Sequence, residues 1–211
     1  VFCDPTLAPA IRALDPLSRA RIGAPVAVLC APATLMLAQI TRHTRNDVLF
    51  TLGTAMDQAA RSNLVLTHTR VNGFANALVL AARVAPNPPP PLARAKVAVT
   101  DATAASGLDG RAVLAANQMS PRQVLGAANT GDVAFLVVTG AADLGLVYLT
   151  DVRANPSLTV VTTLAADTAL ITYAGAVNAH AISPNAQAFL NLLGSNAAAT
   201  QLHAAGLATP S

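Results

Sequence analysis

The chain has 211 residues, 53% hydrophobic and 11% charged, so it holds ample apolar material for a core and intrinsic disorder is excluded. It carries twelve Arg, one Lys (Lys96), ten Asp and no Glu, and its formal net charge of +3 rests on scattered arginines. Nucleic-acid recognition wants clustered Lys/Arg with aromatics between them; this chain has no basic run, no Trp and two Tyr.

The longest uncharged stretches, near residues 23–40 and 168–193, are broken by Pro25 and Pro32 in the first and by Asn178, His180 and Pro184 in the second. A membrane-spanning helix needs about 20 predominantly apolar residues without such interruptions. Both stretches therefore read as buried strand, loop and helix of a soluble protein. No leader pattern precedes Val1-Phe2-Cys3, so an exported chain is expected to have lost its signal peptide before this point.

In chain order, short β-branched runs alternate with Ala/Leu helical segments, the pattern of βαβ units and a mostly parallel sheet. Residues 1–3 predict a strand stub, followed by Leu7, Ile11 and Leu14 at helical spacing with Thr6 as the N-cap. Residues 25–30 (PVAVLC) predict a second strand and 34–40 a second helix. Residues 47–51 (DVLFT) predict a third strand and 55–62 a third helix. A strand over 76–81 runs into a proline-rich stretch at 86–91, which stays extended. A second set follows: strands at 96–100, 144–149, 158–164 and 170–177, and helices at 110–117 and 133–138. At the C-terminus, Ser183 and Pro184 open a helix bearing Ala186, Phe189, Leu190 and Leu193 on one face. Gly194 stops it, and Ser195 starts a last helix that ends at Gly206.

Five stretches resemble one family in register: VFCDPTL at the start, TLMLAQI after the second strand, NDVLFTLGTAMDQA, TGAADLGLVYLTD, and ITYAGAV followed by NAQAFLNLLGSNAAATQLHAAGL. The family is that of the periplasmic molybdate-binding proteins of ABC transporters, a branch of the type II solute-binding fold. TGAADLGLVYLTD, similar to the family's GEADLGIVYxTD, is the most specific of the five. The resemblance implies an α/β protein of two lobes, residues 1–76 plus 178–211 and residues 77–177. Each would be a mixed, mostly parallel sheet flanked by helices, with hinge strands near 76–81 and 172–177. It further implies a periplasmic monomer without cofactor that closes on a small oxyanion, molybdate or tungstate, and delivers it to an ABC permease.

Carried over residue by residue, the resemblance puts Thr6 at the family's first ligand-binding serine. Ser106 and Thr130 fall at backbone-amide positions, and Tyr148 at the ligand-binding tyrosine. The family's second serine falls at Pro32, which has neither a hydroxyl nor an N–H, so Thr34 is expected to replace it in part. Read from the residues alone, the same positions have plainer roles: a helix cap at Thr6, a turn at Ser106-Gly107, a helix entry at Thr130-Gly131, a core aromatic at Tyr148.

The first loop departs from the family pattern at Asp4. A carboxylate about 6 Å from a dianion is repelled by about 5 kcal/mol at an effective dielectric near 20. Either Asp4 turns outward, toward an Arg, or the solute is not a tetrahedral dianion; a cationic, neutral or hydrophobic solute, or a soft metal, then enters. Cys3 and Cys30 leave three readings open: buried small residues, a disulfide, or soft-metal ligation together with Asp4. The four His show no metal-ligand spacing. There is no nucleophile elbow, phosphate loop or zinc motif, and the expectation is a binding protein and not an enzyme. A sensor or interaction protein on the same fold is the alternative from a different class.

Overall fold

The structure, a computed structural model, describes residues 1–85, 87–101, 109–164 and 170–209. The strands are β1 (Phe2–Cys3), β2 (Leu29–Cys30), β3 (Val48–Leu52), β4 (Val71–Arg83), β5 (Lys96–Thr100), β6 (Gln123–Ala127), β7 (Leu144–Tyr148), β8 (Leu158–Thr163), β9 (Leu170–Val177) and β10 (Leu207–Ala208). The described α-helices are α1 (Ala8–Arg12), α2 (Asp15–Ile22), α3 (Ala33–Thr41), α4 (Gly53–Arg61), α5 (Gly110–Ala116), α6 (Thr130–Val138), α7 (Leu149–Ala154), α8 (Ala186–Leu193) and α9 (Asn196–Ala204). None is long and apolar enough to cross a membrane. The chain divides into two units, residues 1–75 with 172–211 and residues 76–171.

In the first unit the sheet runs β2-β1-β3-β9, with β1 parallel to both β2 and β3, and β9 antiparallel to β3. The period-2 alternation of its strands sorts the apolar side chains onto two faces. Phe2, Leu49, Ala174 and Ala176 pack with Met36, Leu37 and Ile40 of α3 and with Ala55, Met56 and Ala59 of α4. On the other face Phe50 meets Phe74 edge-on at 4.8 Å between ring centroids. Gly175 of β9 also lies on that face, where a Cβ would stand 3.1 Å from Leu190 of α8. The absent side chain lets the helix seat closely on the strand.

The second unit orders its strands β8-β4-β7-β5-β6. The β5 strand is parallel to β6 and β7, and β4 is antiparallel to β7 and β8. Both faces are covered, so the central strands are apolar throughout. Leu78, Leu80, Val97, Val99, Leu144 and Leu146 pack with Val113 and Leu114 of α5. Val79, Ala81, Ala98 and Val147 pack with Val133 and Val137 of α6 and Val152 of α7.

Several expectations are corrected. Of residues 25–30 only Leu29 and Cys30 form a strand. This is the sheet edge, its one neighbour β1 is two residues long, and Pro25 has no N–H to donate. Thr6 is not a helix cap: the carboxylate of Asp4 caps a 3-10 turn over Pro5–Leu7 by accepting from the Thr6 N–H. The strand expected to reach residue 149 ends at Tyr148, where α7 begins, and the helix expected from Val133 starts at Thr130. Ser183 opens a turn and accepts from the Asn185 N–H, so that Asn185 is the residue before α8. Four of the described elements were not expected: α2, whose apolar residues are few, β6, a half-exposed edge strand, α7, which follows Tyr148 directly, and the two-residue β10.

Candidate functional site

In open α/β sheets, ligands bind at the carboxyl ends of the parallel strands, where the chain turns into helix N-termini. In the first unit these ends are Asp4 after β1, Ala31-Pro32 after β2 and Gly53 after β3. Cys3 and Cys30, paired in register across β1 and β2, form a disulfide with their Cα atoms 4.5 Å apart. The pairing decides among the readings left open for these cysteines: both sulfurs are consumed, so neither is a free thiolate for a soft metal. Closing a loop of this length lowers the unfolded-state entropy by an amount worth about 3.5 kcal/mol at 25 °C in the chain-entropy account. It also ties together the two strand ends that lead into Asp4 and Pro32.

Asp4 is 6% exposed and does not turn outward to an Arg; among the described residues it makes no ion pair. Its Oδ1 accepts two hydrogen bonds from Thr6, from the backbone N at 3.1 Å and from Oγ1 at 2.7 Å. Burial pushes the Asp4 carboxyl above the ordinary carboxylate range, and the two Thr6 bonds draw it partly back. The Thr6 hydroxyl also lies 2.9 Å from the hydroxyl of Tyr173, a β9 residue paired with Leu52 and 1% exposed. A hydroxyl has one proton, so while Thr6 gives its own to Asp4, Tyr173 is the donor to Thr6. The result is a directed chain from Tyr173 through Thr6 to Asp4.

Beside this chain stand two helix N-termini. The residues preceding α3 and α4 are Pro32 and Leu52, and neither helix receives a side-chain cap. The first N–H groups of a helix have no carbonyl of their own helix to meet, and together with the macrodipole they favour an anion. Thr51, immediately before Leu52, is fully buried, and its hydroxyl has no partner among the described residues. Thr34, the second residue of α3, is exposed.

The corresponding ends in the second unit are different. Asp109 caps α5 by accepting from the N–H groups of Arg111 and Ala112, at 3.0 and 3.3 Å. Asn129 caps α6 by accepting from Asp132 N at 2.9 Å. Asp151 in the first turn of α7 accepts from Tyr148 N at 3.1 Å. Thr130 is buried at the first position of α6, and Tyr148 packs in the core beside Leu78, its register partner on β4. Thr130 thus follows β6 and Tyr148 ends β7, two strands with β5 between them. Ser106 lies outside the described residues.

Of the expected residues, Cys3, Cys30, Asp4 and Thr6 come together in the first unit, with Thr34 on the adjoining helix. Sequence reasoning missed Tyr173 and Thr51. Tyr173 sits in the ITYAGAV string that marked the strand, but its distance along the chain from Thr6 hides the hydrogen bond.

Comparison with known proteins bears on the whole chain. The family model described as bacterial extracellular solute-binding protein matches residues 1–208. No curated protein sequence matches. Among solved structures, one named as the substrate-binding domain of a molybdenum ABC transporter from Clostridium difficile has a TM-score of 0.81 and 20% identity, covering 100% of this chain and 97% of its own. The periplasmic molybdate-binding protein of Azotobacter vinelandii has a TM-score of 0.79 and 18% identity over 100% and 98% of the two chains. The sulfate-binding protein SubI from Mycobacterium tuberculosis has a TM-score of 0.69 and 18% identity over 98% and 84%. At these identities the likeness is one of fold.

Proposed function

This chain belongs to the bacterial extracellular solute-binding protein family, with the type II periplasmic-binding fold, and on that premise we propose that it captures a small oxyanion for delivery to an ABC permease. It is a binding protein and not an enzyme. The observation that carries the oxyanion reading is the pair of uncapped N-termini of α3 and α4 at the carboxyl ends of β2 and β3. Fixed neutral N–H donors of this kind suit a buried anion without requiring a cation. The named solutes of the structural relatives, molybdate and sulfate, favour the same class. The Cys3–Cys30 disulfide accords with an oxidising compartment outside the cytoplasm.

In this reading Thr6, Thr34, Ser106, Thr130 and Tyr148 are the candidate contacts, with Asp4 beside Thr6. Thermal unfolding with molybdate, tungstate, sulfate and phosphate, each in excess, tests it. A ligand at 100 times its dissociation constant adds about 2.7 kcal/mol, a shift of about 5–11 °C for a chain of this size. Stabilisation by at least one of these anions is expected; no shift with any of them contradicts the reading. The buried Asp4 carboxylate favours a second reading, a cationic solute. Asp4→Asn separates the two: it abolishes capture of a cation and preserves capture of an anion.

A further inference from the structure

The stretch of chain that leads into α3 is held loosely. No residue from 23 to 35 is buried, and Leu29 and Leu35 are 53% and 49% exposed. The segment lines two cavities, one of about 120 Å³ along residues 24–27 and one of about 380 Å³ beside Val26 and Val28. Ala31 and Ala33 pack on the core with single-carbon side chains. Further ties are polar. Val26 N donates to Asp15 Oδ1 at 2.7 Å, and Leu29 N and Ala31 N donate to the carbonyls of Val1 and Cys3 at 3.0 and 3.1 Å. Cys3 is the opposite case: it is fully buried and paired with Phe50 of β3, whose carbonyl accepts from Asp4 N at 3.1 Å. The Cys3–Cys30 bond thus fastens a loose segment to a firmly seated strand.

Resting on the oxyanion reading above, we propose that the Cys3–Cys30 disulfide is a redox clasp that sets the affinity of the first unit for its anion. Closed, it holds residues 31–35, which include the first turn of α3, at the strand ends. A dithiol reductant opens it. One thiolate of the reductant bonds to the sulfur of Cys30, the half-buried partner; the disulfide breaks, and Cys3 leaves as a thiolate that takes a proton. The second thiol of the reductant then displaces Cys30, which takes the other proton, and the reductant departs as its own disulfide. Segments with few buried apolar contacts open at small cost in free energy. Met36, Leu37 and Ile40 keep the rest of α3 on the sheet, so the opening is confined to the segment. An anion then meets a site that is assembled for only a fraction of the time, and its apparent affinity falls by that fraction.

Isothermal titration of molybdate, sulfate and phosphate into the wild-type chain, before and after treatment with dithiothreitol, tests the proposal together with ¹⁵N relaxation on the same samples. An anion that the oxidised protein takes is expected to bind the reduced protein about tenfold or more weakly, and reoxidation is expected to restore it. Backbone order parameters over residues 26–35 are expected to fall below about 0.6 on reduction, while those of β3 stay near about 0.85. Cys3→Ala/Cys30→Ala is expected to match the reduced wild type and to be insensitive to dithiothreitol. Should that variant fail to fold, reversible reduction of the wild type decides alone. Equal affinity in the two redox states overturns the clasp and leaves oxyanion capture standing. Loss of order throughout the unit on reduction marks general melting and overturns the clasp as well. No anion binding by the oxidised protein overturns the oxyanion reading, and with it the effect on affinity.

Discussion

Asp4 is a carboxylate in a place where the chain has little to neutralise it. Its raised pKa comes first from burial, so the folded state holds the proton more tightly than the unfolded state does. The stability linked to that proton is present below the unfolded value, about pH 4, and is lost as pH rises through the folded value. Asp4→Asn does not titrate. The melting temperature of the variant minus that of the wild type is therefore expected to increase between about pH 4 and neutral pH. A difference that stays flat across that range contradicts the assignment. Thr6 contributes through two bonds to the same oxygen. Thr6→Val removes the hydroxyl and is expected to cost about 1–3 kcal/mol in denaturant unfolding, while Thr6→Ser retains most of the stability. An equal loss for Thr6→Ser and Thr6→Val locates the effect in packing and not in the hydroxyl.

The central strands of the second unit, β5 and β7, were legible in the sequence because they are buried on both faces and read as continuous apolar runs. KVAVT and LGLVY stand where the β-branched pattern puts them, and Gly145 within the latter has a packing reason. A Cβ there would lie 2.7 Å from Val137 and 2.8 Å from Val133 of α6. Gly145→Ala is expected to destabilise by about 1–3 kcal/mol through overpacking, read from the urea midpoint. Edge elements were less legible: β2 shrank to two residues and β6 had no pattern, since an edge strand has one partner and a solvated flank. Helix capping sets the site's electrostatics. Pro32→Asp supplies α3 with the cap it lacks and is expected to raise the melting temperature while weakening anion binding at least tenfold. Unchanged binding in that variant would remove the α3 N-terminus from the site.

For the whole molecule, the order of motifs along the chain carried the family, and the family carries the fold. The candidate site was legible only in part. Thr6 and the strand ends follow from register with the family. The relay from Tyr173 depends on contacts between residues far apart in sequence, and so does the burial of Thr51, whose hydroxyl has no partner among the described residues. The disulfide needed the β1–β2 register, which two-residue strands do not announce. Reducing the disulfide, or replacing both cysteines by Ser, is expected to lower unfolding stability by about 3.5 kcal/mol, measured in urea with and without reductant. Equal stability in the two conditions would show that the bond does not restrain the unfolded chain.

The most direct test of the central claim is the change in backbone amide chemical shifts as phosphate, and separately molybdate, is titrated into ¹⁵N-labelled protein. If the helix N-termini of the first unit hold the anion, saturable shifts concentrate at the N–H groups of Ala33, Thr34, Gly53 and Thr54. Saturable binding that leaves those four amides unmoved would contradict the account.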